Sequence, residues 1–418
     1  MKNKINKLTL TLVFTMCCLF FATFTVNAAE KTLTTTTSDG KKTTVTLKTL
    51  AGYNADSTYI KFSNNGKTHI AVLDLGDNAS VDNLIGKSKS ITIDYLIISH
   101  KHADHVQGLA NLVKKAKSGV AITIDHLYVN GLDFSTSEAL GKRLGELNSS
   151  KVKIKNVHYF GVKGKAKTDT SSNAARKFFE KWKNGKVIYE NSIKTITVTG
   201  TGCQIIILPA LKDFGTTTTA ENNNSLVTVI KDNTTKKNNT KNKNFKIILP
   251  GDIQGNAMAQ ICSTTEYTNY LKKDGFKNVI YKISHHGKGR QHDFFNKVKK
   301  EDCFIYDLID VRAGRVPSLD YGLLLEMKND LDPAYANYSF GSMFTNERNL
   351  IKLIQPNEVI GTKWPGRTVD DKWKDIRRGI NIYRSFINDT VKRNGLSKIT
   401  LKDSFGGNTV TNQNLSKK

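Results

Sequence analysis

A layered α/β fold is predicted from three observations. Strand-like segments alternate with helix-like segments twice along the 418 residues. Several strand segments are near-continuous runs of β-branched and aliphatic residues, the mark of strands buried on both faces. Three of these runs end in turns that carry His or Asp, where open α/β sheets bind ligands.

The elements follow in chain order. Residues 30–48 are Thr- and Lys-rich with period-2 stretches such as Thr43-Thr44-Val45-Thr46-Leu47, which predicts an edge strand after a flexible start. Tyr59 to Phe62 and Ile70 to Leu75 form a hairpin around Asn64-Asn65-Gly66. Ile91 to Ser99 reads as a buried strand, and Val106 to Lys117 as the helix after it. Val120 to Val129 is a strand, Ser137 to Leu147 a helix, and Ser172 to Lys183 a helix stopped by Gly185. Strands are then expected at Ile193 to Val198, Gln204 to Leu208, Ser225 to Ile230, Phe245 to Leu249 and Val279 to Ile283. Between Ile230 and Phe245 lies KDNTTKKNNTKNKN, a polar low-complexity stretch read as a long hairpin loop.

Composition sets the outer limits. Hydrophobic residues make up 38% and charged residues 24%, as in an ordinary globular chain, which excludes a largely disordered one. Lys2, Lys4 and Lys7 precede an apolar stretch from Leu8 to Val26, and Val26-Asn27-Ala28 fits a cleavage site, so residues 1–28 are expected to be a secretory signal. If that signal is not cleaved, the stretch is a membrane anchor. Losing those three lysines takes the net charge from +26 to +23. Such a basic chain suits an anionic partner, nucleic acid or cell-wall polymer. Cys203, Cys262 and Cys303 are too few, and odd in number, for a disulfide scaffold.

The chemistry concentrates in Ser99-His100-Lys101-His102-Ala103-Asp104-His105. Three of the nine histidines fall within six residues, joined by a carboxylate, between a buried strand and a helix. Imidazole and carboxylate are the ligands that zinc and manganese accept. His100 and His102 can face one cation, and Asp104 and His105 a second, about 3.5–4 Å away as in two-metal sites. Phe245 to Leu249 leads into Pro250-Gly251-Asp252, and Val279 to Ser284 into His285-His286-Gly287. Lys288 and Arg290 follow that turn and can clamp a phosphate. Strand alternation turns Lys101 away from the ligands, and His126 and His158 read as packing residues.

This order of H-x-H-x-D-H, Gly-Asp and His-His-Gly resembles the metallo-β-lactamase fold superfamily, and most closely its ComEC-type branch. Val72-Leu73-Asp74-Leu75-Gly76 and Glu221-Asn222-Asn223-Asn224-Ser225-Leu226-Val227 add to the likeness, which spans about residues 55–295. The resemblance implies a four-layer αβ/βα sandwich over residues 29–303. Residues 304–418 would complete the sandwich divergently or form a C-terminal subdomain. It further implies that His100 and His102 hold one divalent cation and Asp104 and His105 another. Asp252 would bridge them and His285 or His286 complete the set, with Asp104 and Asp252 the catalytic carboxylates. Asp74 and Asn224 would support the ligands from behind. The family's usual third ligand histidine, between the first motif and Asp252, has no clear counterpart, since His126 and His158, which lie in that interval, read as packing residues.

The function implied is secreted, metal-dependent hydrolysis by a metal-activated water, with zinc or manganese as the metal. The substrate expected is an anionic phosphodiester, DNA or a cell-wall polymer such as teichoic acid phosphorylcholine. Acyl hydrolysis of the β-lactamase or lactonase kind, and non-catalytic polyanion binding, stand as the alternatives.

Overall fold

The computed structural model describes residues 30–36, 42–50, 55–215, 217–232, 245–254, 257, 260–261, 263–271, 278–282 and 284–287, with four short strands further on. One sheet holds eight strands in chain order: β1 (Glu30–Thr36), β2 (Lys42–Thr49), β3 (Thr58–Asn64), β4 (Lys67–Leu73), β5 (Ser90–Ile98), β6 (Ala121–Asn130), β7 (Lys153–Phe160) and β8 (Lys186–Glu190). The other holds nine: β9 (Lys194–Val198), β10 (Cys203–Leu208), β11 (Val227–Asp232), β12 (Phe245–Leu249), β13 (Asn278–Tyr281), β14 (Gly314–Pro317), β15 (Glu358–Ile360), β16 (Thr400–Lys402) and β17 (Thr409–Val410). Each sheet opens as an antiparallel meander, becomes parallel at β4–β5 or β12–β13, and stays so for several strands. The two sheets thus repeat one plan.

Alternation along β5 explains the layers. From Tyr95 onward, Leu96 and Ile98 point to one face and pack with the helices α1 (Asn78–Ile85), α3 (Gly108–Lys117), α4 (Ala139–Asn148) and α5 (Asn173–Phe179); Ile93 joins the same cluster because the β5–β6 register skips Asp94. Tyr95 and Ile97 point to the other face. There they meet Ile60, Phe62 and Phe160 of their own sheet and Ile205, Ile207, Ile230, Phe245 and Ile247 of the second sheet. That cluster is the inter-sheet core, and each side chain fully buried in it contributes roughly 1.5–3 kcal/mol. Ile206, Val229 and Ile248 are register neighbours on the far side of the second sheet and are also fully buried, so that face is covered too. Both sheets are therefore sandwiched, giving the αβ/βα architecture.

The predicted β3–β4 hairpin forms on Asn65-Gly66, both at positive φ (46° and 77°), as a two-residue turn between right-twisted strands requires. Residues 30–48 differ from expectation: they form two paired strands, β1 and β2, in register from Glu30↔Lys48 to Thr36↔Lys42. Alternating Thr favours strand on both arms of that hairpin. Strands β7 and β8 are additions. The alternating Lys153-Ile154-Lys155 start of β7 has the half-exposed pattern of a strand near a sheet edge. The helix expected at Ser172 to Lys183 is shorter, Asn173–Phe179, because the chain turns there to lay Trp182 on the outer cluster. The interior of the Lys-rich loop, residues 233–244, lies outside the described residues, as do Lys288, Arg290 and residues 1–28.

The helix after the histidine motif is broken, for a reason that matters to the site. A one-turn helix α2 (Ala103–Val106) is followed at Gly108 by α3 rather than continuing into it. In an unbroken helix the Gly108 N–H would donate to the carbonyl of Asp104. It donates instead to Leu75 O at 2.7 Å, and Asp104 O accepts from the Asp56 N–H at 2.9 Å. The His105 carbonyl takes the Leu75 N–H at 2.9 Å, and the Asp56 carbonyl the Gly76 N–H at 3.0 Å. Three loops are thereby knitted together at the ends of β4 and β5. Gly76 is needed there, since a Cβ would lie 1.7 Å from Asp104 O.

Candidate metal centre

The C-terminal ends of β4, β5, β12 and β13 converge on one rim of the sandwich. Leu226 N donates to Ser99 O at 2.9 Å, and Asp252 N to Ser225 Oγ at 3.1 Å, tying the loops of the two sheets together. Gly251 turns at φ +60°, and a Cβ on it would sit 2.9 Å from Ser225 Cβ and 3.0 Å from Ser99 Cβ. The close approach that places Asp252 beside the histidines therefore requires glycine.

Two groups of ligand atoms form there. His100, His102 and Asp252 make one; Asp56, His105 and Asp252 make the other. Within each group the ligand atoms all lie within 4.8 Å of one another. Asp252, 1% exposed, belongs to both. Its Oδ2 is 3.2 Å from His105 Nε2, 3.7 Å from His100 Nε2 and 3.9 Å from His285 Nε2. His285 stands in a 3-10 turn, Ser284–Gly287, at φ +50°, with Gln254 Nε2 at 2.8 Å from its Nδ1. His286 belongs to the same turn. Asp104 lies on the rim, 30% exposed, its Oδ2 3.9 Å from His105 Nε2, and is in neither group. The carboxylate grouped with His105 and Asp252 is Asp56.

Asp56 was not visible in the sequence reading. It comes from an ordinary-looking Ala-Asp-Ser-Thr start of β3, distant in sequence from the histidines, and reaches the site through the Asp56–Asp104 backbone bond. Its Oδ2 also accepts from Lys282 Nζ at 2.5 Å, so an ammonium sits beside the second group.

The residues behind the ligands fix their orientation. Asp74, at φ +59°, accepts from the Ser99 N–H at 2.7 Å, from Ser99 Oγ at 2.8 Å and from His105 Nδ1 at 2.8 Å. A carboxylate only accepts, so the His105 proton is on Nδ1 and Nε2 faces Asp252. Ser284 Oγ donates to Gly251 O at 3.1 Å, so both serines shape turns. Asn224 Nδ2 donates to Asp133 Oδ2 at 2.5 Å and Asp213 Oδ1 at 3.2 Å, pinning the loops beneath the site. Lys101 is 8% exposed and forms 2.8 Å ion pairs with Glu138 and Glu221, away from the ligands as alternation predicts. His126 and His158 hydrogen-bond each other at 3.1 Å, with Glu190 on His158 at 2.8 Å, apart from both ligand groups.

Electrostatics fit a divalent cation. Burial, aided by repulsion from His105, holds His100 well below the usual histidine range, so it is neutral as a ligand must be. Its Nε2 is buried with no hydrogen-bond partner among the described residues, an arrangement normally costing about 1–3 kcal/mol unless something binds there. His105 is also fully buried, and burial lowers its pKa. Asp252, Asp74 and Asp104 outweigh that and raise it well above the usual value. Without a cation, these carboxylates hold a proton on His105. The His/Asp donor set suits a divalent cation.

Asp133 gives a pH test of the supporting shell. Burial, reinforced by Asp213 and opposed by Lys101, pushes its carboxyl up to about 6. The folded state therefore holds a proton that the unfolded chain loses near pH 4. That contribution to stability is complete below pH 4 and is lost as pH rises through 6. Asp133→Asn keeps the carbonyl that receives Lys101 and the oxygen that receives Asn224. It is expected to stabilise the fold at pH 8 by about 1 kcal/mol after solvent screening, and to have no effect near pH 4. Denaturant unfolding at the two pH values checks this. An equal effect at both would remove the charge explanation.

No helix among the described residues is long and apolar enough to cross a membrane. The chain matches no protein-family model and no curated protein. Among solved structures it is similar to a diphosphatase of the PhnP family, with 11% identity and a TM-score of 0.25, over 65% of this chain and 91% of that one.

Proposed function

We propose that the chain is a secreted, metal-dependent phosphoesterase, a phosphodiesterase or nuclease that acts on an anionic polymer. One observation carries the reading: two groups of His and Asp ligand atoms share the buried carboxylate of Asp252 at the rim of the sandwich. Divalent cations bound there would supply Lewis-acid activation of water and neutralise charge on a phosphoryl group. Asp74 holds His105 with its Nε2 toward Asp252. Asp104, on the exposed side, can take a proton at Oδ2. The net charge of +26, and the H-x-H-x-D-H, Gly-Asp and His-His-Gly order, favour a phosphate polymer over a small acyl substrate. DNA and cell-wall phosphodiesters such as teichoic acid phosphorylcholine are both of that class, and Lys288 and Arg290 follow the last ligand turn as phosphate clamps.

The test is metal analysis of the purified chain together with hydrolysis of bis(p-nitrophenyl) phosphate, DNA, a phosphorylcholine ester and a chromogenic β-lactam, with and without chelator. Chelator-sensitive phosphodiester cleavage with about two metals per chain is expected, abolished in the His102→Ala/Asp104→Ala double variant. Absence of metal and of turnover on every substrate overturns the reading, and turnover of the β-lactam alone moves the assignment to acyl hydrolysis.

A further inference from the structure

Two features near the site are not used by the proposed chemistry: the half-buried carboxylate of Glu221 and the buried ammonium of Lys101. Glu221 lies on a short helix, α6 (Thr218–Asn223), that precedes β11. Its Oε2 is 2.8 Å from Nε2 of His102, and its Oε1 is 2.8 Å from Lys101 Nζ. Lys101 in turn reaches Glu138 Oε2 at 2.8 Å and the Asp133 carbonyl at 2.9 Å. A lysine standing between two candidate ligands in sequence is thus turned to the opposite side and held by three oxygens.

We infer that Glu221 is a positioning residue that fixes the proton of His102 on Nε2 and so presents Nδ1 to the cation shared with His100 and Asp252, with Lys101 holding Glu221 in place. The inference rests on the metal-centre reading above. An ionised carboxylate can only accept, so the nitrogen it touches carries the proton and the other carries the lone pair. The same device operates a few residues away, with the nitrogens exchanged. Asp74 occupies Nδ1 of His105, leaving Nε2 directed at Asp252. The two histidines therefore present opposite nitrogens, each chosen by its own carboxylate. This lets side chains from a single tight turn address two neighbouring cations. Carboxylates behind metal-bound histidines raise ligand basicity, and their loss typically weakens metal binding 10–100-fold.

Lys101 explains how Glu221 stays charged and still. Its ammonium neutralises the carboxylate from the side away from the ligands, and the bond to Asp133 O ties it to the loop after β6. The His102–Glu221 contact joins residues 119 apart in sequence, from the first sheet's motif to the loop before β11. The metal centre is thereby coupled to the packing of the two sheets.

The test uses the full chain with 15N-labelled histidine, metal-free, and a cobalt(II) titration followed by visible absorption. In the wild type, His102, assigned by its loss in His102→Gln, is expected to show a protonated Nε2 whose proton is protected from solvent exchange, and an unprotonated Nδ1. In Glu221→Ala that protection disappears and one phase of the cobalt titration weakens 10–100-fold. Glu221→Gln retains an acceptor and restores most of the affinity, which a merely structural role would not predict. Lys101→Met falls between the two. Unchanged cobalt affinity and spectrum in Glu221→Ala, or a proton on Nδ1 of His102 in the wild type, overturns the inference. Failure of the wild type to bind cobalt would overturn the metal-centre reading instead, and the nitrogen spectrum would still report the tautomer.

Discussion

Asp252→Asn is expected to abolish binding of both cations and to lower phosphodiester hydrolysis on the order of 10³-fold, while leaving a folded chain. The size of the effect follows from sharing. Asp252 is the carboxylate common to the two ligand groups, is 1% exposed, and faces His100, His105 and His285 from one oxygen at 3.2 to 3.9 Å. Asparagine keeps the shape and removes the charge. A neutral amide oxygen is a poor ligand for a borderline cation beside neutral imidazoles. Thermal unfolding separates loss of binding from loss of fold. A ligand at a hundred times its Kd stabilises the native state by about 2.7 kcal/mol, so added zinc should raise the wild-type midpoint and leave that of the variant unmoved. A variant that still gains stability with zinc would show that the groups do not depend on Asp252.

How much of this was legible in the sequence depends on whether the signal is local. The strands and helices around the H-x-H-x-D-H motif could be read because β-branched runs, Asn-Gly and helical periodicity each act within a few residues. So could the placement of Asp252 and His285 at strand ends, since both follow apolar runs directly. Asp56 could not. Nothing near it distinguishes a ligand from a residue that opens a strand, and its role is created by the backbone bond to Asp104. Glu221 sits in a run of asparagines and acquires its partner from residue 102 through the packing of two sheets. The break at Gly108 was also hidden, because the pattern from Val106 to Lys117 is that of a continuous helix. Only the competing acceptor at Leu75 interrupts it. The β1–β2 hairpin was legible too, since Ser38-Asp39-Gly40 is a turn signal between two Thr-rich arms; reading residues 30–48 as one edge strand passes over it.

Asp74 carries the second large expected effect, and its two substitutions should fail differently. Its carboxylate is buried and accepts three hydrogen bonds, two from Ser99 and one from His105. Asp74→Ala strands those donors and removes the charge that offsets the buried His105. It is expected to cost roughly 3–5 kcal/mol of stability, as when one partner of a buried pair is deleted. Asp74→Asn is the sharper experiment. Asparagine tolerates φ +59° better than most residues, so the turn persists. Its Oδ1 can still take the Ser99 N–H, which places the amide nitrogen where Oδ2 met Ser99 Oγ and His105 Nδ1. That nitrogen donates, so His105 Nδ1 must accept and the ring proton moves to Nε2, the atom 3.2 Å from Asp252. The second group then presents a proton where a cation needs a lone pair. The expected outcome is a stable chain that binds one metal in place of two and hydrolyses phosphodiesters roughly 10²–10⁴-fold more slowly. The reverse flip offers no escape, because it would point the amide donor at the Ser99 N–H. Metal analysis and unfolding of the two variants side by side decide the point. Two cations bound at wild-type affinity in Asp74→Asn would show that the tautomer of His105 does not govern the second group. Loss of fold in Asp74→Asn would show that the charge of Asp74, rather than its hydrogen-bond polarity, is what the turn requires.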